Sequence, residues 1–390
     1  MGPAVTPAGL RALGWEKWSH FPPEILPAHV AEMDFGTDPA IVAALQEAAT
    51  GPGLGYLSSA RAEGLSQACA AYQADHFGWA VDPAQVRLVT DIMRAAHLAV
   101  ECFTPPGSPI AVPTPTYYGL ITTPGELGRE RIDVPLIPGP SGPTFDEAGL
   151  RGAIGQGARL ILLCSPHNPV GRVWRREDLA ILERVVADTG VLVFSDEVHS
   201  PLVYPGHRHI PFASLSEVAA AHTITAVSAA KGWNMPGLKC AQMVLTNPQH
   251  LLQWHQLGLA DHASPSTLGV LANQVAYTQG QAWLNAVLHY LRANRDWLAD
   301  ELTQRAPHVG FTPPEGTYLA WLDLRRLGFG REATEPERRR PGRYLLEQAK
   351  VALTDGAAWG TGGAGFVRLN FATSRTLLGQ ILDRLVEALA

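Results

Sequence analysis

The chain has 390 residues, with 30 lysines plus arginines against 36 aspartates plus glutamates, for a formal net charge of −6. This length suits one large domain and a smaller one, and 46% hydrophobic with 17% charged residues is an ordinary globular composition. The negative balance argues against nucleic-acid binding, and no apolar run reaches the ~20 residues that a membrane-spanning helix needs.

Taken in chain order, short apolar strands alternate with helical patterns. VRLVT (86–90) reads as a strand and IMRAAHLAVECF (92–103) as an amphipathic helix. PIAV (109–112) runs into PTPTYYG, and ARLILLC (158–164) runs into SPHNPVG. The helix REDLAILERVVADT (176–189) stops at Gly190. VLVFS (191–195) leads to DEVH, TITAV (223–227) leads to SAAKGWNMPGLKC, and AQMVL (241–245) follows. Near-continuous apolar strands separated by helices predict a mostly parallel sheet covered on both faces. This large domain is expected over residues 36–285.

The pattern then changes. AWLNAVLHYLRANRDWLADELTQR is one long helix with a repeating apolar face. After it come the strand TYLAWLDL, a polar loop near 331–342, a helix in YLLEQAKVAL, the strand FVRLNFA and a last helix in SRTLLGQILDRLVEAL. Residues 286–390 are expected to form a small α+β domain, with residues 1–35 packed against it.

Four cysteines, Cys69, Cys102, Cys164 and Cys240, lie far apart with no CxxC pair, and no secretory hydrophobic segment opens the chain. The expectation is a reduced, cytoplasmic protein with Cys102 and Cys164 in apolar surroundings. His199, His207 and His209 complete no zinc-like set, so no metal is expected. The GTGGAG stretch (360–365) satisfies GxGxxG but precedes a strand, where a dinucleotide fingerprint would join a strand to a helix.

Open parallel sheets bind ligands at the carboxyl ends of their strands. Those ends carry Tyr117 and Tyr118, Asn168, Asp196 with His199, and Ser228 with Lys231. Only four lysines occur in the chain, Lys17, Lys231, Lys239 and Lys350, and guanidinium cannot replace an amine that must lose its proton. An amine, a carboxylate, an amide, an imidazole and an aromatic ring are the groups pyridoxal phosphate requires: a covalent anchor, a partner for the ring nitrogen, donors for the phenolate, and a stacking surface.

The motifs EKW, AEMDF, GYLS, CSPHNPVGRVW, SDEVHS, SAAKGWNMPGLKCA, GTYLAWLD and GAGFVRLNFA, in this order, resemble the fold-type I pyridoxal-phosphate enzymes of the class I/II aminotransferase superfamily. Within it the chain is most similar to the C–S lyase branch, the cystathionine β-lyases of the bifunctional lyase/aminotransferase type. The resemblance implies a seven-stranded, mostly parallel sheet sandwiched by helices, and a homodimer with its sites at the interface. It implies that Lys231 anchors the cofactor and shuttles protons, that Asp196 pairs with the ring nitrogen, and that Asn168 holds the phenolate oxygen near His199. Tyr117 would stack on the ring. Ser228, Lys239 and the turn at Ile92 and Met93 would hold the phosphate, with Tyr56 reaching it from the neighbouring subunit. Arg368 would clamp the α-carboxylate of an amino-acid substrate. Where relatives have a glycine-containing turn, this chain has Asp91, read here as a helix cap balanced by Arg94. Met33 is a candidate contact for sulfur-bearing side chains. The implied reaction is β-elimination of a thiol, with transamination as the alternative and a transcription-factor-binding side role as a further one.

Overall fold

The computed structural model describes residues 6–51, 53–139, 142–258, 265–330 and 332–390. Its larger sheet has seven strands: β1 (Val86–Val89), β2 (Ile110–Thr114), β3 (Arg131–Pro135), β4 (Leu160–Cys164), β5 (Leu192–Asp196), β6 (Thr223–Val227) and β7 (Ala241–Leu245). They lie side by side in the order β1-β7-β6-β5-β4-β2-β3. All neighbours are parallel except β7, which runs antiparallel to both β1 and β6. The predicted mixed α/β architecture is the observed one. The edge strand β3 escaped the sequence reading because only one of its five residues, Val134, is fully buried, so RIDVP carries no apolar run.

Strand alternation explains why the central strands read as unbroken apolar runs. On β4, Leu160, Leu162 and Cys164 join the core beneath helix Ile92–Phe103, whereas Ile161 and Leu163 join the core beneath helix Arg176–Thr189. The same alternation puts Phe194 and Ile224 on the first face. Register then aligns Cys164 with Asp196 and Asp196 with Ala226 across three neighbouring strands. The helix Arg176–Thr189 ends as predicted, with Gly190 in the left-handed region at φ 67.

A smaller antiparallel sheet is formed by β8 (Gly310–Phe311), β9 (Leu319–Asp323), β10 (Thr354–Asp355) and β11 (Phe366–Asn370), in the order β8-β9-β11-β10. The long helix Gln281–Arg305 and the final helix Arg375–Leu389 share one apolar cluster with this sheet, through Leu291, Leu298, Leu378 and Leu382. The boundary expected between 285 and 286 falls inside that long helix. The helix expected in YLLEQAKVAL is shorter and begins earlier, at Pro341–Gln348. Lys350 then adopts φ 55, and Val351–Ala352 pairs in parallel with Leu26–Pro27. Pairing with a distant segment overrides the local helix pattern there.

The N-terminal segment is tied down by a buried ion pair. Lys17 Nζ lies 3.0 Å from Asp34 Oδ2, both side chains being 1% exposed, and Trp18 Nε1 donates to Asp34 Oδ1 at 2.7 Å. The EKW and AEMDF motifs thus meet in space, and residues 29–34 emerge from that contact across the carboxyl ends of the large sheet.

Candidate active site

The strand ends β4, β5 and β6, helix Ile92–Phe103 and the turn after β7's partner β6 converge on a cavity of about 180 Å³. It is lined by Tyr117, Asn168, Asp196, His199, Ser228, Lys231 and Lys239, and also by Ile92, Met93 and Cys164. Nine of the eleven residues given a cofactor or substrate role in the sequence, together with Asp91, therefore share one space. The two others, Tyr56 and Arg368, are not among the lining residues.

Burial sets the chemistry of this cavity. Asp196 is 3% exposed, and its Oδ1 accepts from the Val198 backbone N–H at 3.1 Å. Removal from water pushes its carboxyl up to about 7. The same effect, reinforced by the nearby Arg368 guanidinium, lowers the Lys231 amine to about 8. Lys231 Nζ donates to the Ala31 carbonyl at 2.9 Å. His199 is held neutral, its pKa lowered to about 3 by burial and then by Lys231, and its Nδ1 is buried without a hydrogen-bond partner. Burial also raises the Tyr117 hydroxyl.

Arg368 sits just behind the cavity, on β11. Its Nη1 donates to Asn168 Oδ1 at 3.2 Å and its Nη2 to the His29 carbonyl at 2.6 Å, while Nε is buried and unpartnered. Asn168 thereby joins the lining of the cavity to the guanidinium. The Trp359 ring lies under Arg368, 4.5 Å from the guanidinium carbon to the ring centroid. Trp359 comes from the loop before β11, which packs tightly on the end of β2. Gly360 has φ +89 there, and an added Cβ would stand 2.6 Å from Thr114 Cγ2.

The helix Ile92–Phe103 begins at the cavity. Asp91 caps it, accepting from the Arg94 N–H at 2.8 Å. The cation beside the other carboxylate oxygen is Lys239, at 3.0 Å, whereas Arg94 reaches Glu101. The expected charge balance is therefore provided by a different residue. Ser228 Oγ donates to the Cys240 carbonyl at 2.7 Å and accepts from the Ala230 N–H at 3.0 Å. Its hydroxyl braces the turn that carries Lys231.

Besides Arg368, three of the singled-out side chains stand away from the cavity. Met33 is fully buried in the core with Leu291 and Tyr318, and Met93 is the methionine at the cavity wall. The correction follows from backbone direction: Asn234 grips both the N–H and the C=O of Met33, which turns its side chain into the core. Tyr118 is half exposed, and Tyr56 is fully exposed.

Sequence reading missed how residues 29–34 are held over the site. Besides Lys231 and Arg368, Tyr318 OH donates to the Ala31 carbonyl at 2.9 Å, and Asn370 Nδ2 donates to the carbonyls of Val30 and Glu32 at 2.6 and 2.7 Å. Backbone carbonyls carry no sequence signal, so only the neighbouring motifs hinted at this arrangement. Trp359 was missed because aromatic residues are common in cores.

The model of the family described as "Aminotransferase class I and II" matches residues 28–385. The chain belongs to the class I and II aminotransferase family. Within it, a cystathionine β-lyase of Corynebacterium glutamicum is 36% identical, with 96% of each chain covered. A crystal structure described as a putative pyridoxal-phosphate-dependent β-cystathionase of Corynebacterium diphtheriae superposes with a TM-score of 0.90 at 36% identity, over 98% of each chain. Cystalysin of Treponema denticola, solved with pyridoxal 5'-phosphate, superposes with a TM-score of 0.91 at 27% identity, over 100% of this chain and 99% of that one. The fold of this chain is thus that of the family.

Proposed function

We propose that this protein is a pyridoxal-phosphate-dependent carbon–sulfur lyase acting on L-cystathionine or a related S-substituted cysteine. The observation that carries the reading is the convergence in one cavity of an amine lowered to about 8 and a carboxyl raised to about 7, with a guanidinium behind them. The similarity to proteins named cystathionine β-lyase over nearly their whole length supports the same choice.

The residues present fit the cofactor. His199 Nδ1 and Arg368 Nε are buried donors or acceptors that the protein leaves unused, and the cavity offers both a cationic and an anionic group. When bound, pyridoxal phosphate supplies an electrophilic carbon and a protonated ring that withdraws electrons from the substrate's Cα. Lys231 would anchor it, Asp196 would face its ring nitrogen, Tyr117 would stack on it, and Asn168 would reach its phenolate with His199 nearby. Lys239, Ser228 and the N–H groups of Ile92 and Met93 at the helix start would receive its phosphate.

Lys231 Nζ would take the proton from substrate Cα. An amine near 8 can both accept and return a proton close to neutrality. Arg368 holds the α-carboxylate, with Nε as its free donor and Trp359 fixing the plane of the guanidinium. The electrons of the Cα–H bond form the Cα–Cβ double bond as the Cβ–S bond breaks. The thiolate leaves with the sulfur electron pair and takes up a proton. One water is consumed overall, giving thiol, pyruvate and ammonium. A transaminase would use the same residues, and the description of the matching family favours that as the second reading.

The deciding experiment is a single turnover of cofactor-loaded enzyme with L-cystathionine and no keto acid. Pyruvate, ammonia and thiol in equal amounts are expected. If the cofactor ends in its amine form without pyruvate, the protein is an aminotransferase. Lys231→Ala serves as the blank and should abolish the yellow absorption band.

The reading includes a homodimer. Tyr56 is fully exposed, outside the cavity of its own chain, and is available to a neighbouring subunit's phosphate site. It also includes a cytoplasmic location, supported by four free cysteines and by the absence, among the described residues, of any helix long and apolar enough to cross a membrane.

A further inference from the structure

A second cavity, of about 480 Å³, lies outside the candidate active site. Three elements wall it: the end of helix Ser59–Phe77, the loop 200–209, and the first turns of helix Gln281–Arg305. They bring together Arg208, Arg292, His76, His207, His209 and His289, and no aspartate or glutamate is among the lining residues. The two guanidiniums at one concave surface favour an anion between them, with the imidazoles as further hydrogen-bonding groups.

Nearby acids are already engaged. Glu197 accepts from His209 Nε2 at 2.9 Å and from the Ser195 hydroxyl at 2.8 Å. Glu315 is held by Arg172 and the Val173 N–H, and stands 3.7 Å from His207. Asp296 lies 2.6 Å from Arg295 and 3.6 Å from Arg292. Two further groups point to a ligand. Tyr72 and Ser200 line the cavity at 5% and 4% exposure, and among the described residues neither hydroxyl has a hydrogen-bond partner. Their oxygens open to the cavity and are free to donate to a ligand there. Gln281 Oε1, also buried and unpartnered, offers one acceptor to a protonated oxygen.

We propose that this cavity binds a small, multiply charged oxyanion, the chemistry shared by phosphate esters and polycarboxylates. Arginine forks and hydroxyl donors suit such oxygens, and the volume exceeds that of a simple inorganic ion. The site communicates with the first cavity through its own backbone. His199 of the first cavity and Ser200 of the second are consecutive, and Leu202 N donates to the His199 carbonyl at 2.9 Å.

The test is calorimetric titration of cofactor-loaded enzyme with pyrophosphate and, separately, citrate. Saturable binding at one site per chain is expected for at least one probe, and which probe binds identifies the phosphate or the carboxylate class. Arg208→Gln and Arg292→Gln should each weaken it about tenfold or more, the value of one charge-assisted hydrogen bond. Both arginines are exposed, and beyond the Phe77 carbonyl at Arg208 and Asp296 at Arg292 little is lost, so each change should move the thermal midpoint only slightly. No saturable heat from either probe, or an affinity unchanged in the double variant, overturns the proposal.

Discussion

Replacing Asp196 by Asn isolates one charge in the candidate active site. The side chain is 3% exposed, and its Oδ1 receives the Val198 N–H at 3.1 Å. Asn is close in volume and retains an acceptor for that N–H, so the end of β5 should keep its shape. The negative charge that would hold the cofactor's ring nitrogen protonated is lost. Removing one member of a buried ion pair costs about 3–5 kcal/mol. Expressed in the barrier to Cα proton removal, this is a loss of roughly 150- to 5,000-fold in turnover, at about 1.36 kcal/mol per tenfold. The assay is pyruvate release under saturating substrate and cofactor, with absorbance confirming that the variant is loaded. Stability should move the other way. Burial raises the Asp196 carboxyl from 3.8 to about 7, so folding disfavours its charged form. In the cofactor-free protein that cost is absent below about pH 3, grows between pH 3.8 and about 7, and is constant above. Asp196→Asn should therefore unfold at a higher temperature than the parent at pH 8, and at the same temperature near pH 3. Turnover within about fivefold of the parent, in a fully loaded variant, would refute the placement of this carboxylate against the ring nitrogen.

Two other outcomes are expected. Lys17→Met leaves Asp34 charged and buried with the Trp18 indole as its one remaining side-chain partner among the described residues, and should destabilise the enzyme by about 3–5 kcal/mol; adding Asp34→Asn should restore part of the calorimetric midpoint, and an unchanged midpoint in Lys17→Met would contradict the buried pair. Light scattering should give twice the chain mass, and Tyr56→Phe should weaken cofactor retention about tenfold without dissociating the dimer, the size of one charge-assisted hydrogen bond; a fully active monomer excludes the shared site.

Much of this protein is written in its sequence. The apolar strands and the helix stop at Gly190 are local properties, set by period-2 burial and by a left-handed cap. Lys231, Asp196 and Asn168 were legible because each follows an apolar strand, and parallel strands deliver their carboxyl ends to one side of a sheet. Tertiary structure decided what distant segments do to one another. The polar edge strand β3 exists because β2 pairs with it, and the helix at Pro341–Gln348 ends because Val351 pairs with Leu26. Met33 turned into the core because Asn234 grips its backbone, while Met93 reached the cavity wall from the first turn of the helix Ile92–Phe103. The carbonyls of residues 29–32 that meet Lys231, Arg368, Tyr318 and Asn370 are chemically identical in every residue. No sequence pattern can mark them, because long-range packing alone chooses which backbone groups face the site.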